Sequence, residues 1–299
     1  MSQNRIAAGF TLIEMIIVIV ITGIIGSMVA VFLSAPIKQY MDVSHRAELT
    51  DIADTALRRL TRDIRTAVPN SVRIVGCGST PCIEFLPTRT GGRYRAVQNC
   101  MGVCSGNVLT FGATVSSFDI MGSAINFVAS DYIVIGSTQS NGNPPYDTSA
   151  AGILRAYTGA AGPQTTVIFS PSATALPVWA ELSSQRFDVV DGVQQAVTYA
   201  CVGTLGALDG NQNGRARLMR YWGYGFNASQ VAPPTVVGGA TGIGAVGHSE
   251  AVLADKVSGC NIIYDVPSQR AGLVAISLTL TDGGESVSLY HEVHVNNSP

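Results

Sequence analysis

The sequence predicts an α+β protein in which one long N-terminal α-helix, transmembrane in its first half, packs on a β-rich antiparallel head. Residues 15–37 form a run of 23 residues without a charge. As a helix this run spans about 34 Å, which covers a hydrocarbon core of about 30 Å. Beyond it, apolar residues first recur at helical spacing and then alternate with polar residues in short runs, which is typical of strands.

Composition excludes some classes of function. The chain has 299 residues, of which 46% are hydrophobic and only 13% are charged, with a net charge of −2. From residue 70 onward, eleven basic residues face fourteen acidic ones, a balance of −3. Because such a field does not attract polyanions, no nucleic acid is expected as a partner. The low charge is typical of an exported β-rich surface protein.

The apolar run does not read as a secretory signal peptide. It is longer than the usual apolar region of about 7–15 residues, and no small-x-small cleavage site follows it. Glu14 also stands at its entrance, where a signal peptide has positive charge. A plain membrane anchor gives no reason for Glu14 either, since an unpaired carboxylate there costs about 2.5 kcal/mol or more.

The residues Gly9-Phe10-Thr11-Leu12-Ile13-Glu14 and the apolar run after them resemble the N-terminus of type IV prepilins and type II secretion pseudopilins. The resemblance implies that residues 1–9 are a cytoplasmic leader, which a prepilin peptidase removes between Gly9 and Phe10. It also implies N-methylation of Phe10 and a contact between Glu14 and the N-terminal amine of a neighbouring subunit. A buried carboxylate is stabilised by such an opposite charge.

The expected order is a leader at residues 1–9, a transmembrane or filament-core helix at 10–36, an amphipathic helix at 37–69 and a head at 70–299. The amphipathic helix should end at Pro69. Its predicted core-facing stripe consists of Leu49, Ile52, Ala53, Ala56, Leu57, Leu60 and Ile64. The arginines around this stripe predict a solvated face, with a subunit contact as the alternative.

The head is predicted to be antiparallel. The expected strands are residues 72–75, 82–86, 94–97, 108–111, 132–135, 153–157, 166–169, 186–190, 197–202 and 217–222. The clearest hairpin joins residues 273–281 and 286–295 through Asp282-Gly283-Gly284. Residues 137–152 and 227–248 are expected to form surface excursions of a single domain.

All six cysteines lie in the head, and export to an oxidising compartment favours disulfides. Local pairing of Cys77 with Cys82 and of Cys100 with Cys104 leaves Cys201 for Cys260. Six cysteines allow fifteen pairings, so the connectivity stays open. The spacing of the first four is also compatible with a zinc ribbon, which we weigh as the alternative.

Other motifs are weaker. Asp209, Asn211 and Asn213 match the first half of a calcium loop, but Arg220 occupies its twelfth position, so a polar turn is favoured. Glu292 and His294 share one face of the last strand and His291 the other, and an exposed polar face is favoured over a metal site. The aromatics Tyr221, Trp222, Tyr224 and Phe226 predict packing, with an adhesive or subunit surface as the alternative.

Four further runs, CIEFLP, GGRYR, RLMRYWGYGF and EVHVNNSP, are similar to minor pilins of the mannose-sensitive haemagglutinin (MSHA) pilus. The resemblance implies a structural subunit, held in the bacterial inner membrane with its head in the periplasm and then assembled at the cell surface. Its partners would be major and minor pilins, the prepilin peptidase and the inner-membrane assembly platform. No cofactor and no enzymatic activity are expected. The alternatives are a type II secretion pseudopilin and a membrane-tethered module that binds a ligand or a surface.

Overall fold

The computed structural model of the protein describes residues 10–101, 103–138, 145–149, 152–170, 175–268 and 271–297. The chain divides into two compact units, Met1–Glu48 and Leu49–Pro299. In chain order the described elements are α1 (Leu12–Arg65), β1 (Cys82–Phe85), β2 (Thr88–Tyr94), β3 (Asn99–Met101), β4 (Val103–Ser105), β5 (Ser117–Met121), β6 (Ile125–Phe127), β7 (Tyr132–Ile135), β8 (Leu154–Tyr157), β9 (Gly162–Gln164), β10 (Thr166–Ser170), β11 (Arg186–Val190), β12 (Val197–Leu208), β13 (Gly214–Trp222), β14 (Ser249–Ser268), β15 (Ala271–Asp282) and β16 (Glu285–Asn296). The predicted α+β class, an apolar N-terminal helix followed by an antiparallel β-rich head, is confirmed.

The stripe predicted on α1 is buried against the sheet of the head. Leu57, Leu60 and Ile64 are fully buried, and Leu49 is 3% exposed. They share one core with the inward side chains of β12 to β16. Each such aliphatic side chain contributes about 1.5–3 kcal/mol when it leaves water. This stripe therefore holds the end of α1 on the head.

The helix ends at Arg65, before the predicted end at Pro69. The chain leaves the helix early because its next residues bond to the segment that follows β1. The amide of Val68 donates to the carbonyl of Leu86 at 2.8 Å, and the amide of Thr88 donates to the carbonyl of Thr66 at 2.7 Å. Residues 66–68 thus form hydrogen bonds with the extended segment 86–88 instead of continuing the helix.

The larger sheet has six antiparallel strands in the order β1-β12-β13-β14-β15-β16. The predicted hairpin is its last pair, β15 and β16, which are in register from Asp282 with Glu285 to Ala271 with Asn296. Gly283 and Gly284 have φ angles of 58° and 85°. Positive φ at both central turn positions matches the twist of the flanking strands and favours glycine. The turn prediction is confirmed.

The longest strand, β14, was not predicted from the sequence. It spans Ser249–Ser268, and its pairing shifts between Val257 and Gly259. Its other partner, β13, shifts register on both sides of Leu218. Each irregularity moves the apolar residues to the other face, so the alternation that identifies a strand does not persist along the segment.

A second β-structure, the barrel, lies between β1 and β12 in the sequence. Six strands close it in the order β10-β5-β2-β11-β7-β8. Aromatic side chains fill its interior, and the ring of Phe118 contacts those of Phe169 and Phe187. The sequence predicted β7 and β11 with these bounds but did not predict closure into a barrel.

Two predicted strands of this region are wrong. Of the strand predicted at residues 94–97, only Tyr94 is in a strand, as the last residue of β2, and residues 108–111 form no strand. Leu109 is nevertheless 3% exposed and belongs to the barrel core. Its amide donates to the carbonyl of Arg95 at 2.9 Å. These apolar residues cover the barrel core from a loop. Their sequence pattern is the same as that of a buried strand, so the pattern alone does not distinguish the two.

A buried ion pair joins the segment after α1 to β1. Arg73 forms only an isolated bridge with Glu84, so the strand predicted at residues 72–75 is wrong. Its Nε lies 2.7 Å from Oε2 of Glu84, whose side chain is fully buried. Tyr224 donates from its hydroxyl to the other carboxylate oxygen at 2.9 Å. Burial raises the pKa of Glu84 above its ordinary value, although the bonds from Arg73 and Tyr224 oppose the shift.

The same arginine fixes the excursion predicted at residues 227–248. Its guanidinium donates to the carbonyls of Asn227 and Ala228, each at 2.8 Å. Ile243 from this excursion is fully buried against the core between sheet and barrel. The excursion is therefore packed on the head. The other predicted excursion, residues 137–152, lies partly outside the described residues, and its Tyr146 is buried and donates to the carbonyl of Ser71 at 2.6 Å.

We expect Glu84→Leu to lower the free energy of unfolding by about 3–5 kcal/mol, because it leaves the Arg73 charge buried without its partner. The double variant Arg73→Met with Glu84→Leu should be more stable than Glu84→Leu alone. Urea denaturation of the full-length protein in detergent measures both. Arg58→Ala is the control, since it breaks an exposed pair with Asp54 and should leave the free energy of unfolding nearly unchanged. Equal losses in the single and double variants would contradict the prediction.

Candidate functional site

The first helical turn carries the acidic residue singled out in the sequence. Phe10 and Thr11 precede α1, whereas Gly9 lies outside the described residues. The amide of Glu14 donates to Oγ1 of Thr11 at 3.4 Å, and the amide of Met15 donates to the Thr11 carbonyl at 3.2 Å. Thr11-Leu12-Ile13-Glu14 thus has the spacing of a capping box, in which Thr11 caps the helix. Glu14 is exposed beside the positive end of the helix dipole.

The segment after Glu14 satisfies its own polar groups. Leu12–Leu33 has 22 residues with a mean hydropathy of 2.9, and none of it is buried within the protein. The hydroxyl of Thr22 donates to the carbonyl of Val18 at 2.6 Å, and that of Ser27 donates to the carbonyl of Ile24 at 2.8 Å. Lipid offers no hydrogen bonds, so such internal partners are required there. By length and composition this helix can cross a membrane.

All three disulfides predicted in the head are present. Cys77 pairs with Cys82, Cys100 with Cys104, and Cys201 with Cys260, with Cα–Cα distances of 5.4, 4.1 and 6.4 Å. The zinc alternative is not supported, because its four sulfurs are bonded in two disulfides. The Cys201–Cys260 bridge joins β12 to β14, the two strands that flank β13, and it closes the longest of the three loops.

Asp209, Asn211 and Asn213 form the turn between β12 and β13. Oδ1 of Asp209 accepts hydrogen bonds from the amides of Asn211 and Asn213 at 2.8 and 2.9 Å. These bonds lower the pKa of Asp209. Oδ1 of Asn213 accepts from the amide of Gly283 at 2.8 Å. The three residues therefore serve the favoured role, a polar turn, which also contacts the β15–β16 turn.

The histidines of β16 are separated as the sequence predicted. Glu292 and His294 are exposed on one face, and His291 is half-buried on the other. Nε2 of His291 lies 3.8 Å from Oδ1 of Asp54 on α1. Among the described residues, no three His, Cys, Asp or Glu side chains are grouped closely enough to hold a metal ion.

The aromatic run at the end of β13 and just after it packs inside the head. Tyr221 is fully buried and Tyr224 is 7% exposed. The Phe226 ring lies 4.7 Å from that of Tyr132, and the Arg220 guanidinium lies 4.9 Å from the Trp222 ring. The favoured packing role is confirmed for these aromatics.

A polar cluster that no local motif indicates ties α1 to the sheet. The hydroxyl of Tyr199 donates to Oδ2 of Asp63 at 2.6 Å, and Nε of Arg220 lies 3.3 Å from the same oxygen. Burial, followed by the bond to Asp63, raises the pKa of Tyr199. The sequence signal is faint, since Asp63 is only a carboxylate beside an apolar stripe.

The comparisons with known proteins concern this N-terminus. Residues 4–30 match the family model described as the prokaryotic N-terminal methylation motif. The match includes Gly9, Phe10 and Glu14, and it covers the beginning of α1. No curated protein and no solved structure matches the chain.

The motif defines a class. The protein carries a type IV pilin-like signal that extends into an apolar helix, which supports a protein of the pilin or pseudopilin kind. The assembly context that this signal implies is a pilus or a pseudopilus.

Proposed function

We propose that this protein is a minor pilin-like structural subunit of a type IV pilus of the MSHA kind, most similar to the minor pilin MshO. The observation that carries the proposal is the methylation motif at residues 4–30, which overlaps the first nineteen residues of the apolar Leu12–Leu33 helix. The resemblance of four sequence runs to minor pilins of the MSHA pilus supports the finer assignment. A type II secretion pseudopilin is the related candidate, because such proteins share the motif.

The proposed mechanism is mechanical and needs no catalytic residues or cofactor. The prepilin peptidase removes residues 1–9, and the assembly platform then transfers the subunit from the inner membrane to the filament, with its head on the periplasmic side. A helix that satisfies its own polar groups is stable in both surroundings. Glu14 supplies the one charge in the Leu12–Leu33 helix that can fix the position of the subunit in the filament, because it can pair with the N-terminal amine of a neighbouring subunit.

The first expected outcome is a mature chain that begins with N-methylated Phe10. Mass spectrometry of the protein from a membrane fraction measures this terminus directly. The matched control is a strain that lacks the peptidase, in which the chain should keep Met1. An intact Met1 terminus in the strain with active peptidase would contradict the proposal, as would cleavage near Ala35.

Glu14 has two possible contributions, helix capping and charge, and two variants separate them. Glu14→Gln keeps the capping-box geometry, since glutamine also fits this position, but removes the charge. Glu14→Ala removes both. We expect both variants to lower the number of pili per cell, without a change in the length or diameter of the remaining filaments. Electron microscopy of whole cells measures all three, and normal pilus number in Glu14→Gln would show that charge is not needed.

The size of the head favours a place at the filament tip. Residues 70–299 form a domain with a radius of gyration of about 17 Å. Subunits of the shaft share a crowded helical lattice, whereas a subunit at the tip has no neighbour above it. The packed excursion at residues 227–248 belongs to this bulk. We therefore place the protein in a tip or priming complex.

Immunogold labelling of sheared pili tests this location. We expect label at one end of each filament and a stoichiometry far below that of the major subunit. Antibody against the major subunit is the control and should decorate the whole shaft. Even labelling along the shaft by antibody against this protein would contradict the tip assignment.

A further inference from the structure

A groove runs from the exposed side of α1 onto the barrel. Three depressions form it, with volumes of about 350, 280 and 340 Å³. The first and second share Arg65, and the second and third share Arg186 and Asp188, so the second adjoins the other two. The five arginines that line this arginine groove are Arg58, Arg62, Arg65, Arg93 and Arg186.

The arginine groove is positive on a negative molecule. Its lining includes five arginines and two carboxylates, those of Asp54 and Asp188. The formal charge of the groove is therefore +3, whereas the whole chain carries −2. Burial raises the pKa of Asp188 to about 6, and Arg186 opposes the shift. A positive groove on a negative molecule raises the local concentration of anionic groups and steers them to this surface.

Most of this charge is available to a partner. The side chains of Arg58 and Arg62 are 75% and 76% exposed. Arg58 pairs with Asp54 at 2.6 Å, but Nε of Arg62 is 3.9 Å from Asp63, whose other oxygen already bonds to Tyr199. Within the described part of the chain, no carboxylate forms an ion pair with Arg65 or Arg93.

We propose that the arginine groove binds an acidic helix of a neighbouring pilin-like subunit. This inference rests on the proposed function, in which such helices lie side by side. Arg58, Arg62 and Arg65 follow one another at spacings of four and three residues, a rise of about 6 and 4.5 Å along α1. Carboxylates at the same spacing on a second helix face them in register, and each guanidinium can bind a carboxylate through two hydrogen bonds.

The observations favour an acidic helix over a nucleic acid. Asp54 and Asp188 interrupt the row of positive charge, and a continuous phosphate backbone would meet both. A helix can present apolar or basic residues opposite these two positions. The negative net charge of the whole chain also opposes the approach of a long polyanion.

Photo-crosslinking in cells that assemble pili tests the proposal on the full-length chain. A photo-reactive phenylalanine analogue replaces Arg58, and the yield of adduct is compared among three backgrounds. The first has no other change, and the second carries Arg62→Glu and Arg65→Glu. The third, the matched control, carries Arg59→Glu and Arg215→Glu, which change the charge equally at exposed positions outside the lining of the groove.

We expect an adduct to another protein with an N-terminal methylation motif and with acidic residues at spacings of three or four. The Arg62→Glu, Arg65→Glu variant should lower its yield about tenfold, and the control should change it less than about twofold. Non-reducing electrophoresis confirms that all variants keep their disulfides.

Three results would overturn the inference: no adduct, an adduct that survives charge reversal, or an adduct that nuclease removes. Mass spectrometry of the N-terminus in the same cells separates this failure from failure of the proposed function. With Phe10 methylated, only the binding inference is lost. With Met1 retained, the proposed function fails as well.

Discussion

The buried pair of Arg73 and Glu84 is the constraint on which the head depends. A carboxylate that is fully buried requires an opposite charge, so the segment after α1 must stay beside β1. The same guanidinium holds the excursion through the carbonyls of Asn227 and Ala228. One side chain thus fixes the exit from the helix, the edge of the six-stranded sheet and the excursion that covers the core between sheet and barrel.

Sequence reasoning succeeded where local pattern and final structure agree. The stripe from Leu49 to Ile64 and the β15–β16 hairpin have uninterrupted periods, and two of the disulfides close short loops. Prediction from the sequence failed where contacts between residues far apart in the chain determine the structure. Closure of the barrel depends on the pairing of β10 with β5 and β8, and β14 loses its alternation at bulges that exist only because of its neighbours.

The candidate site divides in the same way. Gly9, Phe10 and Glu14 are recognisable because the methylation motif is a continuous stretch of sequence. The cluster of Asp63, Tyr199 and Arg220 and the arginine groove are assembled from α1, the sheet and the barrel. Their members are far apart in the chain, so no spacing rule reveals them. The sequence predicts that the arginines of α1 form a solvated face. In the structure this face continues into a groove that also includes arginines of the barrel.

The chain passes from the sheet into the barrel and returns to the sheet at neighbouring positions. Phe85 at the end of β1 pairs directly with Val197 at the start of β12, and all the barrel strands lie between these two residues. An inserted segment whose ends abut can change in length or be exchanged without altering the register of its host. The barrel can accordingly change away from the core that it shares with the sheet, while the pairing of β1 with β12 stays as it is. Homologous chains should therefore vary most between these two neighbouring residues.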